Sequence, residues 1–315
     1  MPTKRFRLIL TDLGFYVTGR ADVRESRWRT DPWLYPLDWT YQLDREHLYF
    51  EPRDSVGIPM VNLEGQAGPR YLVSRIAGYG FAHWNRWRED GNSTNRIGFL
   101  QVADWFLDRP DGIYRHDYAV AGMPVNWISC ISQGEAASIL ARAFILTGEQ
   151  KYADRARQAI EPLMTPVEDG GLQSRLPRGG PFLEEYPGTI YRHVLNGCLY
   201  AIVGIHDAIR VGDEADHEPR RLFAALITSL GDNLDAWDQG GWSTYDMALP
   251  GHGPRNLNTM TYQRLTAGHL HYLAAAGGDE RLEIVARRWD SSAERLGSRL
   301  AALLQKLSYR AVSGW

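Results

Sequence analysis

Cysteine is scarce in this chain. Cys130 and Cys198 are its two thiols, and both lie in apolar stretches that read as helix, where a free Cys behaves as a small hydrophobe. Two such residues suggest neither a disulfide framework nor a metal cluster. Long apolar runs are missing as well. No stretch approaches the roughly 20 residues of a membrane helix, and the run at 8–10 behind the basic N-terminus is far too short for the h-region of a signal peptide. A protein that is cytoplasmic or otherwise soluble, without a membrane span, is the expectation. The His residues show no HExxH or related metal spacing, and His269 and His271, two apart, would point to different faces of a helix. G-x-S-x-G, P-loop and dinucleotide fingerprints are absent, so no metal and no cofactor are expected. The Asn92-Ser93-Thr94 sequon reads as accidental.

A sustained run of one charge is also lacking. The 35 Lys and Arg interleave with 38 Asp and Glu for a net charge of −3, which argues against nucleic-acid binding. Net charge does not describe distribution, however, and a local basic groove for an anionic polymer remains open. What the chain has in plenty is aromatic: 11 Trp and 16 Tyr. Aromatic faces suit sugars, whose C–H bonds pack on them, and they equally fill a large helical core. With 315 residues, 44% of them hydrophobic, the chain can bury a sizeable core as one large domain or two ordinary ones.

Residues 1–68 are punctuated by Pro32, Pro36, Pro52 and Pro59 and show no helix-length periodicity. They read as an extended arm with one or two β-strands, one of them over residues 46–50. Residues 69–315 read as a second, helical domain. There, a helical run ends at a turn carrying Gly and an acidic residue, and a second run follows. The turns are Glu89-Asp90-Gly91, Thr147-Gly148-Glu149, Val211-Gly212-Asp213-Glu214 and Gly277-Gly278-Asp279-Glu280. Gly supplies a left-handed C-cap for the first helix and the acidic residue suits the N-terminus of the second. The first helices, near 73–88, 131–147, 190–209 and 257–275, are apolar almost all round, and the second are amphipathic, so the first belong inside and the second outside. Inner-outer hairpins repeating about every 60 residues make a mainly α fold, an α/α toroid or an incomplete α/α barrel. The longer joins, at 109–130, 164–190 and 237–256, would cluster at one end and carry function.

The second join holds Glu184-Glu185-Tyr186-Pro187 and leads into Val194-Leu195-Asn196-Gly197, the third holds Thr244-Tyr245-Asp246, and the fourth inner helix opens with Asn256-Leu257 and Tyr262 five residues after the Leu. Together with Ile76-Ala77-Gly78-Tyr79-Gly80 and Trp127 through Gln133-Gly134 upstream, this order resembles the heparan-sulfate D-glucuronyl C5-epimerase family over residues 70–305. The resemblance implies C5-epimerisation of D-glucuronate to L-iduronate within an acidic, heparosan-like polysaccharide, with no redox cofactor. The functional acid and three tyrosines of that family fall on Glu185, Tyr186, Tyr245 and Tyr262. The residue types suit the chemistry. A C5 proton α to a carboxylate is very weakly acidic, so a base must take it from one face while an acid delivers to the other, and donors or cations must stabilise the enediolate.

Met247-Ala248 stands where the family carries an Arg, and Gln263 where it carries a His. Carboxylate recognition is therefore expected of Arg192, Arg255 or Arg264, with Asn196, Asn256, Trp127, Gln133 and Trp242 as further substrate contacts. A homodimer is compatible with the chain. Three alternatives stand beside the epimerase: a polysaccharide lyase on the same scaffold, a glycoside hydrolase using Glu185 with Asp246, and a glycan-binding protein without activity.

Overall fold

A computed structural model describes residues 4–63, 65–120, 122–188, 190–247 and 255–313. The protein is mainly helical. The N-terminal part holds α1 (Lys4–Thr18), β1 (Arg24–Glu25), β2 (Leu37–Asp38), α2 (Thr40–Leu43), α3 (Glu46–Tyr49), β3 (Val61–Asn62) and β4 (Pro69–Arg70). The rest is built from helix pairs: α4 (Val73–Asp90) with α5 (Ser93–Leu107), α6 (Cys130–Thr147) with α7 (Gln150–Ala159) and the short α8 (Glu161–Met164), α9 (Leu195–Val211) with α10 (His217–Asn233), and α11 (Met260–Gly277) with α12 (Glu280–Glu294), followed by α13 (Leu296–Ser313). Two antiparallel ribbons lie in the joins, β5 (Gln173–Arg175) with β6 (Pro181–Leu183) and β7 (Asp238–Gln239) with β8 (Trp242–Ser243).

The first helix of each pair packs on its neighbours: α4 on α6, α6 on α9 and α9 on α11, each backed by its own second helix. Burial follows the same division. From Ala136 to Ala143 every residue of α6 is buried, and so are Leu195 to Ile205 in α9, whereas α7, α10 and α12 bury one face. Gly91, Gly148 and Gly278 cap α4, α6 and α11 in the left-handed conformation, as the turn residues predict. Gly212 departs from that expectation: it ends α9 with φ −86° in extended backbone, so any residue satisfies its geometry. The sequon at Asn92 has a structural use, since the Asn92 side chain accepts from the Thr94 N–H and caps α5.

Two expectations for the N-terminal part need correction. Residues 46–50 form a helical turn, not a strand: Phe50 N–H donates to Glu46 O at 2.7 Å, and the turn places Phe50 against Tyr79 of α4, ring centroids 4.9 Å apart. The absence of helix periodicity is likewise not observed at 4–18, which is α1. Its Phe15 and Tyr16 are buried as adjacent residues among Trp242, Met260 and Ala302, a pattern that does not show as a spaced stripe. Arg299 of α13 donates to Tyr16 O and Val17 O, satisfying carbonyls at the end of α1. Short strands are present elsewhere in this part, four of two residues each in place of the expected one or two, paired as β1–β2 and β3–β4 with β4 just beyond residue 68.

Residues 34–37 are buried in the middle of the helical core, with Trp33 half-buried beside them. Asn85 holds Tyr35 N and O and Leu37 O, Trp84 Nε1 donates to Trp33 O, and Arg142 reaches Trp33 O and Leu34 O. Tyr35 stacks on Phe81 with centroids 3.5 Å apart, and β2 contacts both α4 and α11. The N-terminal segment thus joins the first and last inner helices.

The α6–α9 crossing depends on two glycines. A Cβ at Gly134 would sit 2.4 Å from Ala201 Cα, and one at Gly204 would sit 2.2 Å from Gly134 O. Both obstacles are backbone, which cannot step aside as a flexible side chain would. Gly134→Ala is therefore expected to lower unfolding stability by about 3 kcal/mol. Gly297→Ala, with open space around its Cβ, should leave stability unchanged or raise it by roughly 0.5 kcal/mol. Urea unfolding midpoints check both, and a Gly134→Ala midpoint equal to wild type would contradict the crossing.

Candidate active site

The joins and the first turn of α11 place four side chains together. Directly after β6 the backbone is pinned at each step: Glu184 N–H donates to Leu172 O, Cys130 N–H to Glu184 O, and Ser129 Oγ to Glu185 O at 2.8 Å. Glu184 turns inward, where its Oε1 accepts from Ser174 Oγ at 2.5 Å and lies 2.6 Å from His193 Nδ1. Glu185 turns the other way, onto the start of α9. A Cβ at Gly197 would meet Glu185 Oε2 at 2.6 Å, so glycine at 197 makes the room in which this carboxylate lies.

Tyr245 arrives from the opposite join. Its N–H donates to Asn256 O, and its carbonyl accepts from Leu195 N–H, which fixes it between the start of α9 and the approach to α11. The Tyr245 hydroxyl donates to Glu185 Oε1 at 3.2 Å, and its ring meets that of Tyr262 edge-on, centroids 5.9 Å apart. Tyr262 lies in the first turn of α11, whose N-terminus Thr259 caps. Tyr186 stacks on Trp127 at 5.6 Å and interacts through its hydroxyl with Glu185 and Tyr245. Glu185, Tyr186, Tyr245 and Tyr262 are thus one cluster, with Tyr245 between Glu185 and Tyr262.

Burial governs the electrostatics of this cluster. It pushes the Glu185 carboxyl up to about 7, against the opposing pull of the Tyr186 and Tyr245 hydrogen bonds and of Arg192. Glu185 Oε2 is buried without a hydrogen-bond partner. Tyr262 exposes 37% of its surface, yet its hydroxyl lies deep enough that burial, followed by the nearby Glu185 charge, raises it to about 12, while Arg75 pulls the other way. Burial raises Tyr186 and Tyr245 well above the usual tyrosine range. Near neutral pH the cluster therefore holds one carboxyl poised to gain or lose a proton and three protonated phenols.

Beside it lies a cavity of about 280 Å³ lined by Tyr262, Asn196, Arg75, Glu135, Asp22 and Tyr200, among others. A larger cavity, about 1000 Å³, opens between α1 and the β1–β2 segment and shares Asp22 with it.

The expected substrate contacts divide. Asn196 lines the smaller cavity with its Oδ1 buried and unpartnered, and Trp127 supports Tyr186. Arg192 is close enough to influence Glu185 but is salt-bridged to Asp246, with Nε at 2.9 Å from Oδ2. Arg264 pairs with Asp290 and Glu294, and Arg255 donates to Asp238 O. Asn256 accepts from Lys306. Gln133 uses its amide on Gly112 O, Ala159 O and Tyr114 N–H, and is fully buried. Trp242 is buried against Tyr16 and donates to Asn258 O. Gln263 ties Ser243 to Trp289 O. Ala248 lies outside the described residues.

Arg75, Glu135 and Asp22 were not singled out in the sequence. Arg75 directly precedes the Ile76-Ala77-Gly78 segment and Glu135 directly follows Gln133-Gly134, so each adjoins a motif without belonging to it. Among the described residues, no group of three or more His, Cys, Asp or Glu is arranged to hold a metal, and no helix is long and apolar enough to cross a membrane. Cys130 and Cys198 are free and buried.

Residues 110–291 match the family model described as the D-glucuronyl C5-epimerase C-terminus, and the chain belongs to that family. It is 32% identical over 210 residues to the D-glucuronyl C5-epimerase of Caenorhabditis elegans, covering 61% of this chain and 34% of the relative. It is also 28% identical over 136 residues, 42% of this chain and 44% of the relative, to an uncharacterized protein of Methanocaldococcus jannaschii. The chain thus spans about a third of the length of the nematode enzyme and less than half of the archaeal protein.

The Glu185 environment has a consequence for stability. Its folded value of about 7 exceeds the ordinary 4.5, so its contribution is fully present below pH 4.5 and is lost as pH rises through about 7. Between about pH 5 and 8 this one group should cost wild type on the order of 2–3 kcal/mol that Glu185→Gln does not lose. Urea unfolding of both proteins at the two pH values measures the difference, and parallel pH dependences would show that Glu185 titrates as an ordinary surface acid.

Proposed function

We propose that this chain is an isomerase that inverts C5 of D-glucuronate residues to L-iduronate within an acidic, heparosan-like polysaccharide. The observation that carries the reading is the Glu185–Tyr245–Tyr262 arrangement, in which a poised carboxyl and a protonated phenol are held apart by a second tyrosine that touches both. Four inner helices, each backed by an outer one, support an incomplete α/α toroid, with residues 69–315 as the catalytic domain and 1–68 as an N-terminal arm whose residues 34–37 pack into its core.

In the glucurono-to-idurono direction, Glu185 as carboxylate removes the C5 proton, and the C5–H electron pair passes into the uronate carboxyl as an enediolate. Tyr262 then protonates C5 from the opposite face. The turnover leaves Glu185 protonated and Tyr262 as phenolate, and one proton passing from the first to the second, through solvent, restores both. The hydroxyls of Tyr245 and Tyr186 orient Glu185 and keep its affinity for protons from rising further. With Asp246 tied to Arg192, Glu185 has no free second carboxylate on that side for a hydrolase pair, which favours the isomerase reading.

Release of tritium from C5-labelled polymer tests the scheme. Wild type should release it at a rate that rises as pH passes through about 7. Glu185→Gln should lose about 10²–10⁴ in tritium release, and Tyr262→Phe should lose as much in formation of L-iduronate, while both still bind polymer. Near-normal release by Glu185→Gln, or near-normal L-iduronate formation by Tyr262→Phe, would remove that residue from the chemistry.

A further inference from the structure

The proposed reaction needs a cation or strong donor at the uronate carboxyl, because the charge leaving C5 collects on its oxygens. The three arginines favoured by sequence are engaged elsewhere: Arg192 with Asp246, Arg264 with Asp290 and Glu294, and Arg255 with Asp238 O. Arg75 differs from them. It lies in the first turn of α4, lines the cavity of about 280 Å³, and among the described residues its guanidinium has no ion pair or hydrogen bond.

All four inner helices line this cavity with polar side chains: Ser74 and Arg75 from α4, Glu135 from α6, Asn196 and Tyr200 from α9, and Thr261 and Tyr262 from α11. Glu135 is 2% exposed, and its Oε2 is buried without a hydrogen-bond partner, as is Asn196 Oδ1. Buried polar atoms without partners are rare in folded proteins, and a cluster of them around a cavity marks a place where a ligand completes the hydrogen bonding. Asp22 also borders the cavity, but Gln42 and Thr261 already donate to its two oxygens.

We infer that Arg75 and Glu135 together bind the carboxylate of the reacting sugar, with Asn196 accepting from one of its hydroxyls. This assignment rests on the function proposed above and names how its substrate is selected. Arg75 donates to one carboxylate oxygen. Burial, with Glu185 nearby, pushes the Glu135 carboxyl well above the usual carboxylate range, and as the neutral acid it donates its O–H to the other. Both hydrogen bonds strengthen as the enediolate forms. Arg75 also lowers the proton affinity of Tyr262, so the cation that recognises the carboxylate also assists proton delivery. The site therefore selects a free uronate over a neutral hexose of the same shape.

Calorimetric binding of an unsulfated glucuronate–N-acetylglucosamine octasaccharide, compared with its carboxyl-reduced form, tests the assignment. Wild type should prefer the acid by roughly 10- to 100-fold, and Arg75→Gln should bind the two alike. On the unmutated protein, modification of Arg75 by phenylglyoxal, read by peptide mass spectrometry, should be slowed by the acidic octasaccharide and not by the reduced one. That second measurement decides the matter even if Arg75→Gln does not fold. A preference that survives Arg75→Gln, equal protection by both octasaccharides, or no preference in wild type would each overturn the assignment. A wild type that prefers the acid yet releases no C5 tritium would overturn the epimerase reading and leave the carboxylate site standing.

Discussion

Arg142 of α6 and Asp207 of α9 form an ion pair with no solvent exposure on either side, Nη1 to Oδ2 at 2.6 Å. Two charges out of water are stable only where every donor and acceptor is used. Here Ser138 Oγ donates to the same Asp207 oxygen, Arg142 also donates to Ser138 O, and its remaining N–H groups reach Trp33 O and Leu34 O of the N-terminal segment. The pair therefore fixes three parts of the chain at one point. Removing one partner would leave the other charged and buried, a loss of about 3–5 kcal/mol. Gly134 and Gly204 allow the backbone approach that brings the two helices this close.

The site inherits its precision from that crossing. Glu135 lies one residue beyond Gly134, and Asn196 and Gly197 lie at the start of α9, so the spacing of α6 and α9 sets both the cavity wall and the space for Glu185. The joins add the rest through backbone pairing, with β6 delivering Glu185 and the Leu195–Tyr245–Asn256 hydrogen bonds delivering Tyr245. Burial then supplies the chemistry, since the desolvation that makes Glu185 a reluctant carboxylate near neutrality is also what would let it exchange a proton with a weak carbon acid.

Much of the helical organisation was legible in the sequence. Glycine and acidic turns with alternating apolar and amphipathic runs located α4, α6, α9 and α11 within a few residues, because helix burial leaves a periodic trace. The N-terminal part was harder to read. α1 buries adjacent Phe15 and Tyr16, α3 is a single turn, and the burial of residues 34–37 depends on Asn85 and Arg142 far along the chain. Glu185, Tyr186, Tyr245 and Tyr262 stood out through family resemblance and not through any pattern of their own. Arg75 and Glu135 were missed for a physical reason: on a helix buried all round, a residue facing a cavity and one facing a neighbour carry the same spacing. Gln133 shows the converse, a motif residue whose hydrogen bonds all go to the scaffold.

The central claim is that this buried acid and its tyrosines exchange one proton for another at a single carbon without breaking the polymer. Proton and carbon NMR of an unsulfated glucuronate polymer incubated with the protein in D₂O tests it most directly. The account predicts deuterium at C5 of uronate residues, with L-idurono signals growing in and chain length unchanged. Label-free glucuronate after prolonged incubation, or chain cleavage with an unsaturated sugar at the new end, would contradict it.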